Sequence, residues 1–128
     1  MISLIGQVQG VVLYGLAIKT GLALVSRVLL QKITAFDNLA QSGIAELGNV
    51  ITGRATVKLS QAGFSANISP PTLIIGKDTE ISTLDFSRIV VPLETEDGEI
   101  TVHLALRESP PNKRDSNFVP LSLPAKNR

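Results

Sequence analysis

The chain opens with an uncharged stretch in which short apolar runs are separated by glycines. Ile2–Ile5 and Val11–Ile18 are the apolar runs, and the segment between them, Gly6–Gly10, has glycine at both ends. This pattern predicts two β-strands joined by a turn. A membrane or signal segment is the alternative, but Gln7 and Gln9 interrupt the stretch and no basic residue precedes it. Because Val11–Ile18 is apolar on both faces, we expect cover on both sides of that strand.

Two helical patterns follow. Apolar residues at helical spacing predict a first helix over about 21–31, with Thr20 as its N-cap. Thr34 and Asp37 form a variant of the capping box, which predicts the start of a second and longer helix. Gly63 occupies the position where a left-handed residue would follow the end of that helix.

The second half of the chain predicts further strands and then a polar tail. Thr72–Ile75 is a short apolar run, and Ser87–Leu93 and Glu99–Leu106 flank an acidic turn that ends in Asp-Gly, which predicts a hairpin. Residues 109–128 are rich in proline and polar residues without periodicity, and we predict that they are disordered. The sequence therefore predicts one α+β domain over residues 1–108, with two principal helices packed on a largely antiparallel sheet.

The second predicted helix carries a polar stripe with a single charge. Its members fall on one face at 100° per residue, and apolar residues lie opposite. The stripe consists of Ser42, Glu46, Asn49 and Gly53. An ordinary solvent face carries lysine and glutamate at this spacing, so a lone carboxylate one turn from a carboxamide indicates presentation to a partner. Glycine inside a helix costs about 1 kcal/mol relative to alanine, and clearance for an approaching body is the simplest reason for Gly53.

Composition excludes several kinds of site. The chain has 12 basic and 11 acidic residues, and the surplus of basic residues lies after Glu108, so the predicted domain has no basic surface for nucleic acid. It has no cysteine and one histidine, which excludes a disulfide framework and makes a zinc site built by the protein improbable on ligand count. The lack of cysteine is consistent with a cytoplasmic protein.

Two stretches carry a resemblance to a known family. Ser42–Ala55 and, after the connecting segment, Ile68–Gly76 are similar to the CheC/CheX/FliY family of chemotaxis phosphatases, and most similar to its CheX members. The family signature is an acid or serine, a glutamate four residues later, an asparagine three residues after that, and a proline about twenty residues downstream. It is matched by Ser42, Glu46, Asn49 and the pair Pro70-Pro71. The resemblance covers about residues 2–107 and implies a CheC-like fold, without the helix and strand that CheX proteins usually have before the position of Ile2.

The resemblance also implies a function. Family members remove the phosphoryl group from phosphorylated receiver domains of the CheY type. By that resemblance, Glu46 pairs with the receiver's active-site lysine, Asn49 orients the attacking water, and Ser42 contributes to partner binding at the edge of the contact. The clearance argument adds Gly53 to the residues expected to contribute to partner binding. It implies a cytoplasmic homodimer with paired sheet edges, with no cofactor of its own because the receiver supplies magnesium, and without membrane or nucleic-acid partners. A non-catalytic receiver-binding module and an interaction domain of the flagellar switch are the alternatives.

Overall fold

The structure, a computed structural model, describes residues 1–76 and 87–110. Along the chain the elements are β1 (Ile2–Gly6), β2 (Val8–Leu16), α1 (Ile18–Leu29), α2 (Asn38–Gln61), β3 (Ala66–Ile68), β4 (Ile89–Thr95) and β5 (Gly98–Glu108). The strands form one sheet in the order β3-β1-β2-β5-β4, and each neighbouring pair is antiparallel. This arrangement confirms the predicted α+β class, with two helices and an antiparallel sheet.

Both helices contact the same face of the sheet. Ile2 of β1 pairs with Val12 of β2, which pairs in turn with Leu104 of β5, and cross-strand partners share a face. Ile2 and Val12 are buried. A Cβ atom on Gly48 of α2 would lie 3.8 Å from Ile2 Cδ1, so α2 packs directly on this face. The core therefore lies between α2 and the central strands.

The opposite face of the sheet carries no helix within the described residues. Ile5 and Val90 belong to this face by register, and both side chains are exposed. Val11 is buried on the same face, among neighbouring strand residues. Within the described residues, helices cover only one face of β2, so the cover expected on its second face is not provided by a helix.

Gly10 lies inside a strand and not in a turn. β2 begins at Val8, whereas the sequence predicted Val11, and only Gln7 separates it from β1. Gly10 has φ of 139°, and a Cβ atom there would collide with the backbone carbonyl of Ala105 on β5. The glycine interpreted as the end of a turn permits close approach of two strands.

The predicted N-cap of the first helix is wrong. α1 begins at Ile18, and its N-cap Ala17 makes no side-chain capping hydrogen bond. Thr20 lies within the first turn of the helix, where it is buried against Gly98, the first residue of β5. Thr20 therefore contributes to packing between helix and hairpin.

The second helix begins at a different residue of the predicted capping box. Asp37, not Thr34, is the N-cap of α2, and its carboxylate accepts a hydrogen bond from the backbone N–H of Ala40 at 3.0 Å. At the other end the helix stops at Gln61, and Gly63 follows with φ of 97°. The left-handed glycine after the helix is confirmed.

One predicted strand is replaced by another. Thr72–Ile75 is not a strand, although the backbone N–H of Thr72 donates to the carbonyl of Met1 at 2.9 Å. The second strand that pairs with β1, besides β2, is β3, which comes earlier and was not predicted. Pro70 and Pro71 follow it closely, and because proline has no N–H to donate, the regular ladder is interrupted before Thr72 bonds to Met1.

The predicted tail begins with an ordered residue. Ser109 is buried, its backbone N–H donates to the carbonyl of Gln7 at 2.8 Å, and its hydroxyl donates to the carbonyl of Gly6. The remainder of the predicted disordered segment, residues 111–128, lies outside the described residues. Among the helices of residues 1–76 and 87–110, none combines the length and apolar character needed to cross a bilayer.

Candidate functional site

The rotation of α2 is fixed by a hydrogen bond between a buried threonine and a partly buried tyrosine. Thr52 is 2% exposed, and its hydroxyl donates to the carbonyl of Gly48 at 2.8 Å. Because a threonine hydroxyl has one proton, the 2.8 Å contact between Tyr14 and Thr52 is a hydrogen bond donated by the tyrosine hydroxyl. This pair ties α2 to β2 in the middle of the sheet. It was not predicted, although Thr52 lies at helical spacing from Gly48 on the side opposite to Val50.

A close contact between the helices supports the same orientation. A Cβ atom on Gly43 would lie 2.9 Å from Cγ1 of Val25 in α1, closer than packed side chains approach. Gly48, in contrast, has only ordinary van der Waals neighbours at 3.8 Å on the sheet side. Gly43 therefore lets α1 approach α2, and Gly48 adjoins the sheet.

With α2 held in this way, the polar stripe points away from the sheet. Ser42 and Glu46 are exposed and Asn49 is partly exposed. The side chains of these three residues make no hydrogen bond or ion pair with any described part of the chain. Residues three apart on a helix have Cβ atoms about 5–6 Å apart. The carboxylate of Glu46 and the carboxamide of Asn49 are therefore available to one partner group.

Gly53 differs from the other glycines of α2. Within residues 1–76 and 87–110, nothing lies within 4 Å of the position that its Cβ atom would occupy. Packing within the described chain does not require a glycine here, which is consistent with clearance for a partner. The hydroxyl of Thr56 donates to the carbonyl of Gly53 at 2.7 Å, so this polar neighbour on the stripe is already bonded to its own helix.

Exposed apolar side chains adjoin the stripe, and their position on the solvent side of α2 was not predicted. Leu39, Val50 and Val57 are 48%, 44% and 57% exposed. At 100° per residue all three lie within about 40° of Glu46, on the solvent side of α2. A helical wheel that marked apolar positions on the polar face, and not only those opposite, would have found them.

The stripe lies on a convex surface and not in a cavity. An apolar cavity of about 230 Å³ lies between α2 and residues 71–76, lined among others by Leu16, Ile44 and Ile51, but Glu46 and Asn49 do not line it. Among the described residues no group of three or more His, Asp or Glu side chains could hold a metal ion. The arrangement is suited to contact with another macromolecule.

Comparison with known proteins bears on what that partner is. The family model described as "Chemotaxis phosphatase CheX" matches residues 1–94. The chain belongs to the CheX family. The CheY-P phosphatase CheX of Thermotoga maritima is 33% identical over 84 residues, which cover 65% of this chain and 54% of that protein. The chain thus spans about half the length of the curated relative it matches.

Solved structures agree with this assignment. A chain of the CheX–CheY–BeF3–Mg2+ complex from Borrelia burgdorferi is 31% identical with a TM-score of 0.71, over 84% of this chain and 73% of that chain. The CheX protein of Vibrio vulnificus has a TM-score of 0.75 at 20% identity, over 83% of this chain and 72% of its own, and supports the fold alone. The predicted family is confirmed. The signature residues Ser42, Glu46 and Asn49 lie inside the segment that the CheX family model matches.

Proposed function

We propose that this protein is a phosphatase that removes the phosphoryl group from a phosphorylated receiver domain of the CheY type. The supporting observation is the pair Glu46 and Asn49, which α2 presents to solvent without partners among the described residues. Membership in the CheX family and the likeness to a CheX chain solved with CheY support the choice of partner.

Each side chain of the pair has a separate role in the proposal. Glu46 forms an ion pair with the active-site lysine of the receiver and so anchors α2 over the phosphorylated aspartate. Asn49 enters the receiver's pocket and holds a water molecule in line with the phosphorus–oxygen bond. A neutral carboxamide both donates and accepts hydrogen bonds, so it orients water without repelling the phosphoryl oxygens. Fixing one water in an attacking geometry removes an entropic part of the barrier.

The chemical step needs little from this chain beyond position. The water oxygen bonds to phosphorus, the bond from phosphorus to the aspartyl oxygen breaks, and both water protons leave with the phosphate as dihydrogen phosphate, which frees the receiver's carboxylate. Such transfers pass through a loose transition state that positioning and electrostatics stabilise. In this proposal the receiver supplies magnesium and this chain supplies no cofactor. Ser42 and Gly53 lie at the edge of the contact, where Gly53 leaves room for the partner.

Two substitutions separate binding from catalysis. We expect Asn49→Ala to abolish the acceleration of dephosphorylation while binding of a receiver loaded with BeF3− is retained. We expect Glu46→Lys to remove both, because it places a cation opposite the receiver's lysine. The measurements are phosphate release from the phosphorylated receiver and titration with the BeF3−-loaded form. Asn67→Ala, an exposed amide on β3, is the matched control and should behave as wild type.

The same assay decides between the proposal and its rivals. A wild-type protein that binds the loaded receiver without accelerating loss of phosphate is a binding module, which would contradict the phosphatase. Acceleration that survives in Asn49→Ala would contradict the role of that residue.

We also propose that the protein is a homodimer that pairs the β4 edge of one subunit with the β4 edge of the other. β4 pairs only with β5 among the described strands, and Ile89, Val90, Val91 and Leu93 are 36–63% exposed along it. Long apolar edge strands favour pairing with another chain.

A protein that acts on CheY-type receivers would work in the cytoplasm, and this localisation stays a prediction.

A further inference from the structure

The surface of α2 beyond Asn49 has a specific shape. Val50 lies three residues before Gly53 and Val57 lies four residues after it, so both side chains adjoin the glycine on the helix surface. Because Gly53 has no side chain and no atom of the described residues lies within 4 Å of the position of a Cβ atom there, the two valines border a depression. We name Val50, Gly53 and Val57 the valine notch. Its first member directly follows Asn49 in the sequence, and Gly53 lies about one turn from Asn49.

Neither folding nor helix formation accounts for the two valines. Both side chains are about half exposed, so they contribute little to the core. Valine is also a poorer helix former than the charged residues usual on a solvent face. Contiguous exposed apolar side chains mark interaction surfaces, in which apolar groups supply much of the affinity and polar groups the orientation. The valine notch therefore has the character of a binding surface.

The position of the notch next to Asn49 indicates that the receiver domain is the molecule that contacts it. A helix rises about 1.5 Å per residue, so Val57 lies only about 12 Å along α2 from Asn49. A domain of roughly 100 residues has a radius of gyration near 13 Å. A receiver domain that brings its phosphorylated aspartate to Asn49 is therefore large enough to cover the next two turns of α2 as well, which hold the notch.

We propose that the valine notch binds an apolar side chain that the receiver domain carries beside its phosphorylation site, and that this contact determines which receivers are bound. The proposal rests on the proposed function and deepens it. In the proposed function, Glu46 and Asn49 contact the lysine and the phosphoryl group, which every phosphorylated receiver of this type would carry. In the notch proposal, Val50 and Val57 contact a receiver side chain outside that shared set, and this contact supplies selectivity that the polar pair does not.

The test replaces both valines by their polar isostere. In the full chain, we expect Val50→Thr/Val57→Thr to raise KM for the phosphorylated receiver about tenfold, or about 1.4 kcal/mol, and to leave kcat unchanged. Binding of the BeF3−-loaded receiver should weaken by the same factor. Threonine keeps the shape of valine and has a similar helix propensity, so thermal unfolding should not change. A merely structural role of the valines would shift thermal unfolding and leave KM unchanged.

Ile5→Thr is the matched control, because Ile5 is equally exposed but lies on the opposite face of the sheet. It should leave KM unchanged. If wild type accelerates dephosphorylation and the double variant has the wild-type KM, the notch proposal is overturned while the proposed function stands. A double variant that changes the oligomeric state at unchanged KM assigns the notch to contact between copies and overturns the proposal as well. A wild-type protein that neither binds nor dephosphorylates any receiver overturns both proposals.

Discussion

At the scale of single residues, the glycines of α2 show how one residue type serves different purposes. A methyl group on Gly53 would have no neighbour within 4 Å in the described part of the chain, whereas one on Gly43 would lie 2.9 Å from Cγ1 of Val25. Val25 is almost fully buried, so it cannot move aside without disturbing the core. Packing between α1 and α2 therefore requires a glycine at the position of Gly43. Gly53 is free of that constraint, and its reason must lie in what α2 contacts.

This difference predicts opposite effects for the same substitution. Gly53→Ala should raise the free energy of unfolding by up to about 1 kcal/mol, because alanine is the better helix former and no contact is disturbed. Gly43→Ala should lower it by roughly 1 kcal/mol or more, since overpacking outweighs the gain in helix propensity. Urea unfolding of both variants measures the two changes.

The same pair of variants tests the role of Gly53 in partner binding. If Gly53 provides clearance, Gly53→Ala weakens binding of the BeF3−-loaded receiver although the protein is more stable, so unfolding cannot explain the loss. A Gly53→Ala protein with wild-type affinity would show that clearance is not needed there.

At the scale of elements, apolar runs, helical spacing and turn chemistry predicted more than capping residues did. Apolar runs identified β1 and β2, helical spacing identified both helices, and the acidic Asp-Gly turn identified the β4–β5 hairpin, because each of these signals lies within a short stretch of sequence. Caps were less predictable. Thr20 and Thr34 are both good capping residues, yet one packs on Gly98 and the other lies outside α2, since tertiary contacts decide which polar side chain reaches a helix end. The three residues of β3 are too few to show a period.

The candidate site was also predictable only in part. The family signature predicted Ser42, Glu46 and Asn49 on one exposed face, and the structure exposes that face. The Tyr14–Thr52 hydrogen bond that sets the rotation of α2 was not predicted. Such a contact joins two elements that are distant in the chain, so no local pattern reports it.

An ion pair joins two other elements and makes their contact sensitive to pH. The guanidinium of Arg27, in the last turn of α1, donates to both carboxylate oxygens of Asp97 in the β4–β5 turn, at 2.9 and 3.0 Å. The hydrogen bond from Arg27 holds the pKa of Asp97 below its usual value of 3.8. The pair is exposed on the arginine side, so its contribution to stability is small and screened by salt.

The sign of the effect follows from the lowered pKa. A carboxyl whose pKa is lower in the folded state stabilises the fold fully at pH values above its unfolded pKa, and this contribution disappears as pH falls through the folded pKa. We therefore expect Arg27→Met to be slightly less stable than wild type at neutral pH, with a difference that is constant down to about pH 5 and shrinks in more acidic solution. Urea unfolding between pH 3 and 8 measures it. Arg54→Met is the control, because Arg54 makes no ion pair with the described residues. A difference that grew on acidification would contradict the assignment.

At the scale of the whole molecule, the helix layer is narrower than the sheet. The described contacts of α2 include those with α1, β1, β3 and Tyr14 of β2, and those of α1 include the ends of β2 and β5 and the β4–β5 turn. The described residues leave the edge strand β4 uncovered, and its apolar side chains are exposed on both faces. The docking face of α2 and the β4 edge are therefore separate surfaces, so a subunit could pair through one and bind a receiver through the other.

This separation predicts how a dimer interface can be removed without affecting phosphatase activity. In an antiparallel pair of β4 strands about a twofold axis, side chains of one face meet their counterparts across the interface, and like charges placed there repel. Ile89→Lys/Val91→Lys puts two cations on one face of β4, so we expect it to convert a wild-type dimer into a monomer in sedimentation equilibrium, while each subunit keeps the wild-type kcat. The control Ile5→Lys places one lysine on an exposed apolar position away from β4, and this variant should stay dimeric. A wild-type monomer at high micromolar concentration would refute pairing through β4, and dissociation by Ile5→Lys alone would move the interface to the face of the sheet that the helices leave open.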